Sequence, residues 1–176
     1  MKVLLHICCG VCAAGAATTL LSEGHRVTGY FYNPNICPEE EYRKRLDAAI
    51  RSAQNLGYEV KEGSYEPSEW IETVKGFERE PEGGARCTHC YRFRLLKSYQ
   101  FMLGQGLDAF TTTLTISPHK QASIINRIGR EIGGDRFMQR DFKKKDGFKQ
   151  AITLARCWEL YRQNYCGCIY SSRGGS

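Results

Sequence analysis

Seven of the nine cysteines in this 176-residue chain fall into three groups: Cys8, Cys9 and Cys12; Cys87 and Cys90; and Cys166 and Cys168. Thiols so spaced bind metals or exchange electrons. The Cys87-Thr-His-Cys90 spacing, at the start of a helix, lets both sulfurs face one metal and is shared by zinc sites, iron–sulfur sites and redox dithiols. Joined in space to Cys8 and Cys9, it supplies four thiolates, the number that either a four-iron cluster or tetrahedral zinc requires. Adjacent side chains diverge, which suits the separate corners of an iron–sulfur cube better than one small ion. The competing reading packs one of the adjacent pair as a small hydrophobe, with Cys12 as a substitute ligand. Cys166-Gly-Cys168 brings two thiols close with no helix between them. A disulfide across one residue would be strained and labile, so a catalytic dithiol or a second metal site is expected there rather than a permanent crosslink. The alternative is two unrelated packed thiols.

Other groups could serve the same chemistry. His6 and His89 flank thiols and could bond to sulfur, move a proton, or be structural. Asp141 is a carboxylate that could ligate iron, and Lys143, Lys144 and Lys145 after it could meet phosphate; the alternative is a solvated charge run. Cys37 has no partner nearby in sequence. Cys157, beside Trp158 in an apolar helical stretch, is expected in the core.

Those residues need elements to position them. Residues 2–7, 25–32, 58–65, 107–116 and 137–141 read as strands; 13–22, 38–56, 67–76, 91–103, 118–132 and 147–163 read as helices. Cys8 to Cys12 then occupies the turn after the first strand, and residues 78–86 form a polar loop. Strands alternating with helices predict an α/β fold, a mainly parallel sheet with helices on both faces and ligands at the carboxyl ends of the strands. One domain is expected over residues 1–170, with residues 171–176 a disordered Ser/Gly tail.

Composition narrows the class. The chain is 41% hydrophobic and 25% charged, as soluble domains are, and no run approaches the roughly 20 apolar residues of a membrane span. Its start lacks the pattern of a signal peptide, which predicts a cytoplasmic protein; there, nine cysteines read as ligands or redox thiols rather than a disulfide framework. Charge is uneven. Residues 1–85 hold 9 Lys and Arg against 13 Asp and Glu, while residues 86–176 hold 16 against 6. The basic second half suggests a polyanionic partner, or else a solvated basic face.

Taken in order, His6-Ile-Cys-Cys-Gly-Val-Cys12, Tyr32-Asn-Pro-Asn35, Arg86-Cys-Thr-His-Cys-Tyr91, Phe110-Thr-Thr-Thr-Leu114, Ser117-Pro118, Asp141-Phe-Lys-Lys144 and Tyr161-Arg-Gln-Asn-Tyr-Cys-Gly-Cys168 resemble the cobalamin-independent epoxyqueuosine reductase family, QueH. The resemblance spans nearly the whole chain. It implies a fold similar to the adenine-nucleotide alpha hydrolases (HUP-like), a [4Fe-4S] cluster without cobalamin, and two-electron deoxygenation of epoxyqueuosine to queuosine at the tRNA wobble position, with electrons from an unidentified donor. By the same resemblance Cys8, Cys9, Cys87 and Cys90 are the cluster cysteines, and Cys166 and Cys168 the redox-active pair. Cys166, Cys168 and Asp141 could instead hold a second, mononuclear iron that polarises the epoxide oxygen. Arg92, Arg94, Lys143, Lys144 and Lys145 are the expected tRNA contacts. Two positions depart from the family pattern: Cys37 stands where histidine is usual, and Gly10-Val11 replaces the commoner alanine-proline.

Two rival functions fit parts of the pattern. An ATP-dependent tRNA thiolase would use a similar sheet but needs a Gly/Ser-rich phosphate loop where this chain has cysteines. A zinc-stabilised tRNA-binding module without catalysis would account for Cys87 and Cys90 and the basic half, and leaves Cys166-Gly-Cys168 without a role.

Overall fold

Lys2–Ile7 forms the first strand, β1, whose apolar side chains point both ways: Val3, Leu5 and Ile7 enter one core and Leu4 enters another. Full burial of each contributes roughly 1.5–3 kcal/mol relative to exposure. A strand apolar on both faces belongs in the middle of a parallel sheet. In the computed structural model, which describes residues 1–171, β1 pairs in parallel with both β2 (Arg26–Phe31) and a later strand. Beyond β2 lies β3 (Glu59–Glu62), and on the other side of β1 lies β4 (Ala109–Thr112), giving the order β3-β2-β1-β4.

The helices α1 (Gly10–Ser22), α2 (Glu39–Leu56), α3 (Pro67–Thr73), α4 (Ala85–Gly104), α5 (Ala122–Gly133) and α6 (Gly147–Cys157) cover this sheet. Residues of α1, α2 and α6 fill the core on one face, and residues of α4 and α5 fill the other, so the expected α/β layering is present. Helix α1 is the innermost. Its Ala13, Ala14, Ala16 and Ala17 are fully buried, and a Cβ on Gly10 would stand 2.5 Å from the carbonyl carbon of Ala48 in α2. Only glycine lets the first turn of α1 approach α2 that closely. No described helix is long and apolar enough to cross a membrane.

Several elements differ from their sequence expectation, each for a local reason. The strand expected over 107–116 turns into a 3-10 helix at Thr113–Ile116, because the Thr112 hydroxyl accepts the Leu114 N–H at 3.1 Å and caps a turn. The strand expected over 137–141 is reduced to a single bridge between Phe110 and Phe137; the Asn126 side chain takes both the N–H and the carbonyl of Arg140, at 3.3 and 3.0 Å. Helix α4 begins at Ala85, so Cys87 and Cys90 occupy its first turns.

Helix α6 stops at Cys157 instead of running to Gln163. Glu159 adopts φ of 51°, Leu160 N–H bonds to Ala155 carbonyl at 2.9 Å, and Glu159 N–H bonds to Arg156 carbonyl at 3.2 Å. That pattern is a Schellman stop made without its usual glycine. Because α6 buries only its Gly147, Ala151 and Ala155 face, Cys157 is exposed, contrary to the expectation that it packs in the core. At the end of the chain, Ser171 is buried and its hydroxyl donates to the Cys168 carbonyl; residues 172–176, the remainder of the expected disordered tail, lie outside the described residues.

Candidate active site: a thiol-lined cavity at the carboxyl ends of the strands

Where β1 ends, its next residue is Cys8, and where the neighbouring β4 ends, its next is Thr113. The two meet. Cys8 N–H donates to Thr113 Oγ1 at 3.0 Å, and the same hydroxyl donates to Cys8 Sγ at 3.2 Å. Cys9 caps α1, its sulfur accepting the Cys12 N–H at 3.4 Å. The Cys8 and Cys9 sulfurs are 3.9 Å apart, and those of Cys8, Cys9 and Cys12 all lie within 4.8 Å of one another. Hydrogen bonds from Cys12 and Cys9 hold the Cys8 thiol well below its usual range, overcoming burial, with help from the charges of Lys120 and Arg94. Cys12 moves the opposite way, pushed well up by its hydrogen bonds to Cys8 and Cys9 and by burial.

His6 sits behind this loop and is fully buried. Its Nε2 faces the Tyr32 carbonyl at 3.1 Å and its Nδ1 faces the Thr112 hydroxyl at 2.8 Å. A carbonyl can only accept, so Nε2 carries the proton and Nδ1 accepts from Thr112. Burial, followed by the nearby Arg94 charge, lowers the ring to about 3. His6 is therefore a neutral structural bridge between β1, β2 and β4.

Helix α4 contributes Cys87, Cys90, Tyr91 and Arg94 at i, i+3, i+4 and i+7, the spacing of one helix face. All four are buried. Gly83 N–H donates to the Cys87 sulfur at 3.2 Å, and Cys90 packs with Trp70, Val74 and Cys168. Arg94, expected on the tRNA-binding surface, is only 2% exposed. Its guanidinium bonds to Asn33 Oδ1, whose amide in turn donates to the Ile7 carbonyl at 2.9 Å. Arg94 is thus a cavity residue and not a surface phosphate contact, because the i+7 position falls on the inward face of α4.

The third group brings Cys166 to the same cavity as Cys8 and Cys12. Cys166 is pulled down to about 5, first by a hydrogen bond from Cys168 against the cost of burial, and further by the charges of Lys120 and Arg94. Cys168 is pushed up correspondingly by its hydrogen bond to Cys166 and by burial. The two shifts are opposed, so Cys166 is the member of the pair that gives up its proton first. Burial works against the charge on Lys120, but Cys166 and Cys8 outweigh it and raise the ammonium above its ordinary value.

A cavity of about 660 Å³ opens among these groups, and Cys8, Cys12, Cys166, Arg94, Lys120 and Arg45 face it. Arg162 and Asn164 contribute to its wall as well. Cys9, Cys87, Cys90 and Cys168 do not line it, and among the described residues the sulfurs of Cys87 and Cys90 do not join the close-set group of Cys8, Cys9 and Cys12. Among the expected ligands, Asp141 is not brought to Cys166 and Cys168. The only described set of three ligand atoms within 4.8 Å is Cys8, Cys9 and Cys12, and the Asp141 carboxylate is engaged by Lys143 Nζ at 3.0 Å.

Lys143 itself is an internal strut. Its ammonium also donates to the carbonyls of Thr115, at 2.9 Å, and Lys120, at 3.3 Å, which occupies its three N–H groups. It is therefore spent on holding the loop that carries Lys120 and is not free for phosphate as expected. Lys144 and Lys145 are exposed, and Arg92 is half-exposed and ion-paired with Glu131. Sequence reasoning missed Lys120, Arg45 and Arg162. Lys120 had one available signal, its place just past the carboxyl end of a buried strand; Arg45 reads in sequence as half of an ordinary i, i+4 surface pair with Glu41.

Comparison with known proteins agrees with this arrangement. Residues 3–174 match the family described as "Epoxyqueuosine reductase QueH". A protein of that name from Streptococcus pyogenes serotype M1 is 34% identical over 181 residues, covering 98% of this chain and 71% of the relative. Its counterpart from Thermotoga maritima is 35% identical over 175 residues, covering 96% and 89%. Among solved structures, the U34-tRNA thiolase NcsA from Methanococcus maripaludis with its [4Fe-4S] cluster superposes with a TM-score of 0.59 at 17% identity, over 98% of this chain and 61% of that one. At that identity the likeness shows the fold alone, a parallel α/β sheet covered by helices. With its ordered cysteine groups, its sheet and a family match over nearly its full length, the chain belongs to the QueH epoxyqueuosine reductase family.

Proposed function

We propose that this chain reduces epoxyqueuosine in tRNA to queuosine, and that the reaction takes place in the thiol-lined cavity. The observation that carries the reading is that thiols from opposite ends of the chain, Cys8 and Cys12 with Cys166, line one cavity together with buried Arg94 and half-buried Lys120. A four-iron cluster fits the chemistry of the donor set, since thiolates are the soft ligands such a cluster takes; the Cys8 and Cys9 sulfurs, 3.9 Å apart, would have to turn away from each other to reach separate irons. Cys8, Cys9, Cys87 and Cys90 would hold it. When bound, such a cluster supplies electrons one at a time.

The residues of the chain account for the remaining needs of the reaction. Removing the epoxide oxygen as water consumes two electrons and two protons. Cys166 as thiolate and Cys168 as thiol can deliver one electron pair by closing to a disulfide. Lys120, kept protonated, stands where a developing alkoxide needs a cation or a proton. A second iron on Cys166, Cys168 and Asp141 gains no support from a carboxylate already engaged by Lys143, so the pair is read as a dithiol. Exposed Lys144 and Lys145 follow the Lys143 strut beside the cavity loop, where a tRNA phosphate backbone would pass.

A zinc-stabilised binding module has no use for a pair of thiols one residue apart with Cys166 facing a cavity. The decisive experiment is anaerobic conversion of epoxyqueuosine-containing tRNA by the iron-reconstituted protein with a chemical reductant and no cobalamin, read by nucleoside mass spectrometry. Queuosine is the expected product. Its absence, with a full and reducible cluster, would overturn the reading.

A further inference from the structure

The turn that carries Cys166 and Cys168 belongs to no helix or strand, yet each of its carbonyls has a partner. Arg45 Nη2 donates to the Tyr165 carbonyl at 3.1 Å and Arg45 Nη1 to the Cys166 carbonyl at 2.8 Å. The Gly167 carbonyl accepts the Cys37 N–H at 2.9 Å, and the Cys168 carbonyl accepts the Ser171 N–H at 3.0 Å. Two consecutive carbonyls out of four therefore depend on one guanidinium from a different element, α2.

That guanidinium is itself fixed. Arg45 is 3% exposed and its Nε donates to Glu41 Oε1 at 2.7 Å; Tyr161 Oη donates to the other carboxylate oxygen at 2.7 Å. The guanidinium also lies over the Tyr165 ring, 5.1 Å from its centroid. Gly167 has φ of 107°, and a Cβ there would come within 2.9 Å of Arg45 Nη1. The turn is moulded around Arg45. A surface ion pair would contribute little, and a buried one carries a desolvation penalty, so burial of this pair points to a positional task.

We propose that Arg45, oriented by Glu41, is a positioning residue for the Cys166/Cys168 pair and sets how easily that pair closes to a disulfide. The inference rests on reading the pair as redox-active. A disulfide has narrow geometric demands, and closing one across a single residue requires the Cys166–Cys168 backbone to fold inward. By pinning the two carbonyls in the dithiol conformation, Arg45 opposes that movement and keeps the oxidised pair strained, so the dithiol is favoured. The exchange that reports this balances simply: the protein disulfide and two glutathione thiols give the protein dithiol and one glutathione disulfide.

The test is to equilibrate the iron-loaded protein, without oxygen, in glutathione buffers of graded redox ratio, and to quantify the dithiol fraction by alkylation and peptide mass spectrometry. Arg45→Lys keeps the positive charge beside Glu41 but cannot span both carbonyls; it should shift the equilibrium toward the disulfide by about tenfold. Glu41→Gln, which leaves the guanidinium in place but loosens its orientation, should shift it the same way by a smaller factor. Iron content and the cluster absorption should match the wild type in both. Wild-type equilibria in both variants would overturn the inference while leaving the redox reading intact. A pair that stays reduced across the whole glutathione range in the wild type and in both variants would overturn both.

Discussion

The loop after β1 and the turn at the end of the chain present the same functional group, a thiol near a cavity, and are held by different means. Cys8 and Cys9 are placed by regular structure: a central strand delivers them, the first turn of α1 receives them, and the hydroxyl of Thr113 from the adjoining strand end locks the junction. Cys166 and Cys168 are placed by side chains reaching across from elsewhere, with Arg45 and Ser171 supplying contacts that no backbone ladder provides. Strand ends make rigid ligand positions. A side-chain-held turn resists the movement that closes a dithiol only as firmly as those side-chain contacts hold.

The widest gap between the two regions should appear in catalysis. Cys166→Ser or Cys168→Ser is expected to lower conversion of epoxyqueuosine by roughly a thousandfold or more while leaving tRNA affinity and iron content nearly intact. Loss of iron in these variants would show that the final pair belongs to the cluster and would erase the distinction between the two regions.

Stability separates them next. Thr113→Val is almost isosteric but leaves the Cys8 N–H without its partner, at a cost of about 1–3 kcal/mol, measurable by urea unfolding of the iron-free protein. Thr113→Ser, which keeps the hydroxyl, should recover most of it. Equal stability in both variants would mean that the β1 loop is not held by this contact.

Acid should act on the strand side as well. His6 is lowered to about 3 in the folded chain and lies near 6.5 when unfolded, so the unfolded state binds the extra proton first. Its contribution is complete above pH 6.5 and fades as pH falls from 6.5 toward 3, at about 1.4 kcal/mol per pH unit. Unfolding of the iron-free protein across that window should show this slope, and His6→Gln should flatten it.

The smallest effect concerns neither thiol group. If Lys144 and Lys145 neutralise tRNA phosphates beside the cavity, each alanine substitution should reduce the salt dependence of tRNA binding by about one phosphate contact. An unchanged slope would remove them from the interface.

Much of the site is legible in the residues alone. The apolar run at residues 2–7 specifies a central parallel strand, the rule that ligands gather at strand ends locates Cys8 and Cys9, and the Cys87-Thr-His-Cys90 spacing locates a thiol pair on one helix face. These inferences succeed because periodicity and backbone hydrogen bonding are local properties, carried by the residue types themselves. Tertiary structure decided the rest. Arg94 and Lys143 look like surface cations in sequence; Arg94 is buried against the cavity and Lys143 is bonded to the carbonyls of Thr115 and Lys120. Cys157 looks like core and lies exposed at a helix stop that no glycine announced. Arg45 looks like half of a surface pair and becomes the clasp of the final turn. A charged side chain states in sequence only what it can bond to; which acceptors reach it, and whether water does, depends on elements more than a hundred residues apart.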